Sequence, residues 1–398
     1  MKESDLLKES FKIKSEIIKI RRQIHAYPEL GFGELKTARL IARKLKSLGL
    51  TVQEKVAQTG VIGILKGGKT GKTVAVRTDM DALPIQERTG KKYASKIPGV
   101  MHACGHDGKI AIALGVAHLL SKIAADKIKG QVKFVFQPNE EGSGGAQAMI
   151  AAGALRNPRV DSIFGFDLSP SLDSGKMYVR KGIVTANIDD FEITVIGKGG
   201  HAAQPWKTVN PILVAAKIVE ALHSSVSRQQ NFRLPAVISI GEIHGGTASN
   251  IIPHSIRLKG TARTLDLATR KNILRKIKQV VDDICRAHRA QHQLQFIPSY
   301  PSLANNAQLN DIIIGAGEKL LGPKNICYCK HPFFEGEDIS YFFKKIPGAI
   351  FSIGIRNRKK GIAHLTHSPF FDLDEAALPI GVAIVAGSIL RYLKFEYE

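Results

Sequence analysis

Residues 101–142 read MHACGHDGKIAIALGVAHLLSKIAADKIKGQVKFVFQPNEEG, and this stretch decides the fold. IAIALGVAHLL at 110–120 is apolar over enough residues for a buried helix, and QVKFVF at 131–136 is short and strand-like. Working outward, VIGIL at 61–65, TVAVR at 73–77 and SIFGF at 162–166 are further strand-like runs. Upstream, Leu35, Ala38, Ile41, Ala42, Leu45 and Leu48 recur at helical spacing, and Gly49 follows as a C-cap. Strand alternating with helix predicts an α/β class with an open mixed sheet flanked by helices. In such sheets ligands bind at the carboxyl ends of the strands, so residues just past each strand are the first suspects.

The pattern changes near residue 185. FEITVIG, a helix over about 210–225, AVISIGEI, SIRLKGTART, a charged helix over about 267–289 and QLQFIPS give strand, helix, strand, strand, helix, strand. That is the split βαβ order of a ferredoxin-like α+β module. After residue 300 the α/β style returns, with a helix near 307–321, GAIFSIGI at 348–355 and a helix over about 373–393. The expected organisation is therefore one discontinuous domain, residues 1–184 and 300–398, interrupted by a module at 185–299.

Bulk properties narrow the function. A chain of 398 residues with 44% hydrophobic and 23% charged residues is long enough for two domains with sizeable cores. No apolar run reaches the ~18–20 residues of a membrane span. The start, MKESDLLKESFKIKSEIIKIRRQ, mixes acids and bases and has no apolar signal-peptide centre, so a soluble cytoplasmic protein is expected. The net charge of +22 suggests a polyanion partner, but the lysines are spread along the chain and the densest basic clusters lack aromatics. A basic solvated surface without specific nucleic-acid binding is the expectation. Four cysteines, with Cys327 and Cys329 one residue apart, fit neither a disulfide framework nor a structural zinc site.

Chemistry-bearing residues gather at the strand and helix ends. Cys104 and His106 sit on a short glycine-containing loop before the buried helix; they suit one metal, or else a buried thiol beside a capping imidazole. Glu140 and Glu141 follow a strand directly, and adjacent carboxylates repel unless a cation or proton intervenes. One can then coordinate while its neighbour handles protons; the alternative is a solvated turn. Asp79 and Asp81 end another strand and share a face of it, Asp167 ends a third, and HLTHSP offers His364 and His367. In the module, small residues surround His201 in GKGGHAAQP, as in a loop that closes over a substrate or a plain hairpin turn. Asn250 and Arg263 lie at strand boundaries, where an amide and a guanidinium fork can hold a substrate carboxylate or simply face solvent.

Eight ordered motifs make a family visible. RRQIHAYPELGFGE, VRTDMDALPIQE, MHACGHDGK, FQPNEEGSGGAQAMI, GKGGHAAQP, GGTASNIIP, GEDISYF and THSPFFDLDEAALPIG resemble, in order and spacing, the metal-dependent N-acyl-amino-acid amidohydrolases. That group contains hippurate hydrolase, the indole-acetyl-amino-acid hydrolases and related aminoacylases and carboxypeptidases. The resemblance runs from about residue 15 to 395. It implies a hydrolase with two divalent ions (Mn, Zn or Co), a metal-activated water, and a lid module that also joins two copies of the chain. It implies Cys104, His106, Glu141 and His367 as ligands, Glu140 as general base and His201 as the residue that polarises the scissile carbonyl from a neighbouring subunit. Asn250 and Arg263 fall on positions that resemble substrate contacts, and the implied substrate is a small N-acyl amino acid, hippurate-like or acetylated.

The sequence departs from the family pattern twice. The strand-end motif that normally reads Leu-His-Val is here Phe166-Asp167-Leu168, so an expected imidazole ligand becomes a carboxylate, which favours harder ions such as Mn²⁺. The residue after HACGHDG, usually His, is here Lys109. Its ammonium could pair with Asp167 or Asp107, or compete with a cation. Two other readings follow: a metal-poor homologue that binds acyl-amino acids or peptides without turnover, and a dipeptidase or carboxypeptidase of the same family.

Overall fold

The computed structural model describes residues 2–229 and 235–397. The chain divides into two compact units. The first comprises Met1–Gly182, Ala304–Lys330 and Asp338–Glu398; the second comprises Ile183–Leu303 and His331–Glu337.

The first unit is built on an eight-stranded mixed sheet flanked by helices. From edge to edge its strands are Thr51–Val56, Gly60–Lys66, Lys129–Gln137, Lys69–Asp79, Ser162–Asp173, Gly348–Arg356, Met177–Val179 and Ile326–Tyr328. Val132 through Gln137 are buried without a break. Successive strand side chains point to opposite faces, so both faces of this strand are covered, as in a sheet flanked by helices on both sides. Full burial of Phe134 and Phe136 contributes roughly 1.5–3 kcal/mol each before the entropy cost.

The helix His106–Ser121 connects the parallel strands Lys69–Asp79 and Lys129–Gln137. Every residue from His106 to Ala117 is buried, because other helices enclose it. A Cβ added at Gly115 would lie 2.6 Å from Val382 Cγ2, so this glycine sets how closely Ala377–Tyr392 packs against it. The register pairs Asp79 with Gln137, so the residues after both strands emerge at one edge of the sheet. That shared edge positions the site.

In the second unit, Asn187–Ile196 lies between Ser255–Thr264 and Gln291–Pro298, with Ala236–His244 outside Ser255–Thr264, all antiparallel. Two helices, Pro211–Gln229 and Leu267–Ala287, complete the ferredoxin-like order. Ile273, Ile277, Val281 and Cys285 recur every fourth residue and form the buried stripe of the second helix. Asp266 starts that helix by accepting the Thr269 N–H at 2.8 Å. The segment 331–337 joins this unit instead of the first, with the Phe333 N–H donating to Val184 O at 2.8 Å. A seven-residue stretch, HPFFEGE, carries no periodicity that would announce such a long-range pairing. No helix among the described residues is long and apolar enough to cross a membrane.

Candidate metal centre

Where Lys69–Asp79 ends, the chain turns and Asp81 becomes an organiser. Its backbone carbonyl faces His106 Nδ1 at 2.8 Å, and its carboxylate accepts the N–H groups of Glu140 at 3.0 Å and Glu141 at 2.9 Å. A ring nitrogen next to a carbonyl must be a protonated one, so in the neutral, metal-binding form of His106 the lone pair is on Nε2. That nitrogen is 3.7 Å from Asp79 Oδ2 and 4.0 Å from Glu141 Oε1. Gly105, at φ +84°, supplies the left-handed turn that brings Cys104 back beside His106.

Other carboxylates shape the glutamate loop. Glu34 accepts the Asn139 N–H at 2.9 Å and the Thr59 hydroxyl at 2.6 Å. Asp338 accepts the N–H groups of Gly145 and Ala146 at 2.8 and 2.9 Å. Sequence reading gave neither residue a role. They come from distant parts of the chain, and only their presence inside the PELGFGE and GEDISYF motifs marked them.

Four of the expected ligands are brought together. Cys104, His106 and Glu141 offer donor atoms within 4.8 Å of one another. His367 Nε2 lies 3.1 Å from Glu141 Oε1. His367 has φ +64°, a conformation costly for a non-glycine residue, and its N–H donates to Ala103 O at 2.8 Å, tying the HSP loop to the cysteine loop. A second group, Asp79, His106 and Glu140, meets the same 4.8 Å criterion. In the sequence Asp79 is marked only by sharing a strand face with Asp81. Its place opposite His106 could be read from neither residue alone.

Asp167 stands differently from the ligand expected. It is in neither donor group among the described residues. Its Oδ1 is 3.2 Å from Lys109 Nζ and accepts the Leu168 N–H at 3.0 Å. Lys109 Nζ also lies 2.7 Å from Asp79 Oδ1, and Arg77 Nη1 lies 2.8 Å from Asp79 Oδ2. Of the partners open to Lys109, the fold provides Asp167 together with Asp79; Asp107 binds Arg21.

The electrostatics separate these groups. Burial pushes the Cys104 thiol well above its ordinary value, against the pull of His106. For Glu141 burial raises the carboxyl, but the His367 hydrogen bond and nearby His106 outweigh it, and its pKa falls. Burial lowers His106, yet Asp79 and Asp81 carry it well above the ordinary imidazole range. Burial also opposes ionisation of Asp79, but Arg77 and Lys109 prevail and hold it far below the usual carboxylate range. A thiol beside a carboxylate, with imidazoles at hand, forms a thiolate readily only when a cation joins it. This donor set of S, N and O fits a borderline divalent ion such as Zn²⁺ or Co²⁺.

In the second unit, His201 pairs with Ile251 across a short two-stranded ladder. The Ala203 N–H donates to His201 Nδ1 at 3.1 Å, which leaves the ring proton on Nε2. The neighbouring Ala202 N–H donates to Asn250 O at 3.0 Å, so His201 and Asn250 belong to one local structure. Arg263 instead donates from Nη1 to Phe334 O at 2.7 Å, fastening the 331–337 segment.

Comparison with known proteins gives the family. Residues 75–391 match peptidase family M20/M25/M40. Thermostable carboxypeptidase 1 of Saccharolobus solfataricus is 42% identical over 373 residues, 93% of either chain. Hippurate hydrolase of Campylobacter jejuni is 40% identical over 338 residues, 85% of this chain and 88% of that one. Among solved structures, the Bacillus subtilis YXEP protein, described as a dinuclear metal-binding peptidase of the M20 family, aligns with a TM-score of 0.84. It is 32% identical, and the match covers 97% of this chain and 99% of that one. Mixed sheet, donor cluster and relatives define the class, a metal-dependent hydrolase of amide or peptide bonds. The chain belongs to the peptidase family M20/M25/M40.

Proposed function

We propose that this chain hydrolyses the amide bond of small N-acyl amino acids, releasing a carboxylic acid and a free amino acid. The observation that carries the reading is the convergence of Cys104, His106, Glu141 and His367 beside Glu140. Those first four residues would hold divalent metal, Mn, Zn or Co, with Asp79 of the other donor group and Asp167 as further carboxylates toward a second ion. A bound divalent ion supplies a Lewis acid that polarises the scissile carbonyl and can bring the pKa of a water to about 7.

The side chains of this protein do the rest. Glu140 is the general base, taking a proton from the attacking water and returning it to the departing amine. Asp81 fixes the backbone under it, so the carboxylate is presented from a held loop. His201, with its proton on Nε2, donates to the developing oxyanion, a contribution typically of ~3–4 kcal/mol. Asn250 and Arg263 assist in holding the substrate carboxylate. Pairing of two copies through the second unit would bring His201 to a neighbouring site, and neither nucleic acid nor membrane is a partner. Catalysis in the cytoplasm is the setting this reading assumes.

The 42% identity to a carboxypeptidase supports a second reading, removal of a C-terminal residue from a short peptide. The two are separated by assaying benzoyl-glycine and acetylated amino acids against benzyloxycarbonyl dipeptides, each with Mn²⁺, Zn²⁺ and Co²⁺. Turnover of the acyl-amino acids supports the proposal. Turnover confined to peptides replaces it with the second reading, and metal binding without any turnover leaves a non-catalytic binding protein.

A further inference from the structure

Two positions break the family pattern, Lys109 and Asp167, and in the fold they touch at 3.2 Å. Resting on the metal-dependent reading above, we infer that Lys109 is a built-in cation that makes the two ion positions unequal, one held tightly and one weakly. Donor supply sets the limit. His106 belongs to both donor groups but has a single lone pair, because Nδ1 is committed to Asp81 O at 2.8 Å. Cys104, Glu141 and His367 complete a set for one ion around that nitrogen.

A second ion would draw on Asp79, which lies beside Glu140 in the other donor group, and on Asp167, and the ammonium already binds both aspartates, at 2.7 and 3.2 Å. Asp79 is further neutralised by Arg77 at 2.8 Å. The Lys109 side chain is 2% exposed and that of Asp167 41%, so the pair closes the site from inside while Asp167 remains within reach of solvent. A dication entering here meets a fixed positive charge at contact range and must compete for carboxylates already in use. On the thiolate side the described neighbours are imidazoles and carboxylates, and an imidazole that gives up its proton becomes a ligand to the entering ion, which the Lys109 ammonium does not.

The test counts ions instead of turnover. Metal-free protein is loaded with Mn²⁺ or Zn²⁺, desalted, and assayed for metal per chain by mass spectrometry, with calorimetric titration following the steps. The wild type should retain one equivalent, with the second bound at least about a hundredfold more weakly. Lys109→Gln should bring the second equivalent through desalting, and retention of the first equivalent shows that the variant site is folded. Should that variant lose even the first ion, the double substitution Lys109→His with Asp167→His decides, and two retained ions are expected. Two equally held ions in the wild type, or no tightening in either variant, overturns the inference and leaves the hydrolase reading standing. A wild type that retains none brings down both.

Discussion

Consecutive residues of one helical turn serve two clusters of buried charge. Asp107 faces Arg21, His25 and, beyond them, Glu87, Asp372 and Tyr93; His106 faces Cys104, Asp79 and Glu141. The first cluster closes on itself. Arg21 is fully buried, 2.7 Å from Asp107 and 2.9 Å from Asp372, and His25 Nδ1 is 2.8 Å from Asp107. With a guanidinium built in, Asp107 is held far below the usual carboxylate range although burial opposes it. The second cluster is closed only at its Lys109 end. At the Cys104 end the thiol is pushed up, and a cation has to come from outside. Buried anions with an internal partner make a scaffold; buried anions without one make a binding site.

The comparison breaks most readily at Glu140. If it is the base and the ligand cluster is separate from it, Glu140→Gln should lower kcat by about a thousandfold while metal content stays unchanged. Steady-state kinetics alongside metal analysis reads both quantities, and loss of metal with activity would move Glu140 into the ligand set.

The scaffold cluster predicts the next largest effect. Arg21→Met leaves Asp107 and Asp372 buried without their guanidinium, and should destabilise the fold by about 3–5 kcal/mol. Chemical denaturation should give the same loss with and without chelator, since no part of it depends on an ion. The metal cluster behaves oppositely. Chelation should remove about 2.7 kcal/mol of stability when the ion was at a hundred times its Kd, and Cys104→Ala should abolish that difference. A Cys104→Ala variant still stabilised equally by metal would place the tight site elsewhere.

What was legible in the sequence follows the same division. IAIALGVAHLL, QVKFVF and the 3–4 spacing of Ile273, Ile277 and Val281 declare buried elements, because an enclosed helix or strand must be apolar wherever it is enclosed. The Cys104–His106 and Glu140–Glu141 pairs were legible because local chain geometry alone keeps each pair together. Asp79 opposite His106, Glu34 under Asn139 and Asp338 at Gly145 were not, since each contact joins residues far apart in sequence. The same is true of Arg21 with Asp107: a buried guanidinium reads in sequence like any surface arginine. Lys109 lay between, as its oddity was visible but the choice among Asp167, Asp107 and a displaced ion needed the fold.

Lys133 gives the smallest and sharpest contrast, because it is a buried cation with neutral acceptors in place of carboxylates. Its Nζ donates to the carbonyls of Ala154, Arg156 and Pro158 at 3.1, 2.6 and 3.1 Å. Where Arg21 has anions to offset burial, Lys133 has dipoles, and burial lowers its pKa to about 8. The folded value therefore lies below the ordinary lysine range, and between the two the unfolded chain binds more protons than the native one. Stability from this residue should rise with pH from about 8 towards 10.5, with a slope no greater than about 1.4 kcal/mol per pH unit. The three carbonyl bonds also favour the ammonium, so the measured slope should fall under that ceiling. Comparing denaturation of the wild type with Lys133→Met at pH 7, 8, 9 and 10 isolates it. The difference in stability between the two should move in favour of the wild type as pH rises. A constant difference would mean that three backbone dipoles hold a buried ammonium as well as carboxylates hold Arg21, and that an internal anion is not what distinguishes the scaffold cluster from the site.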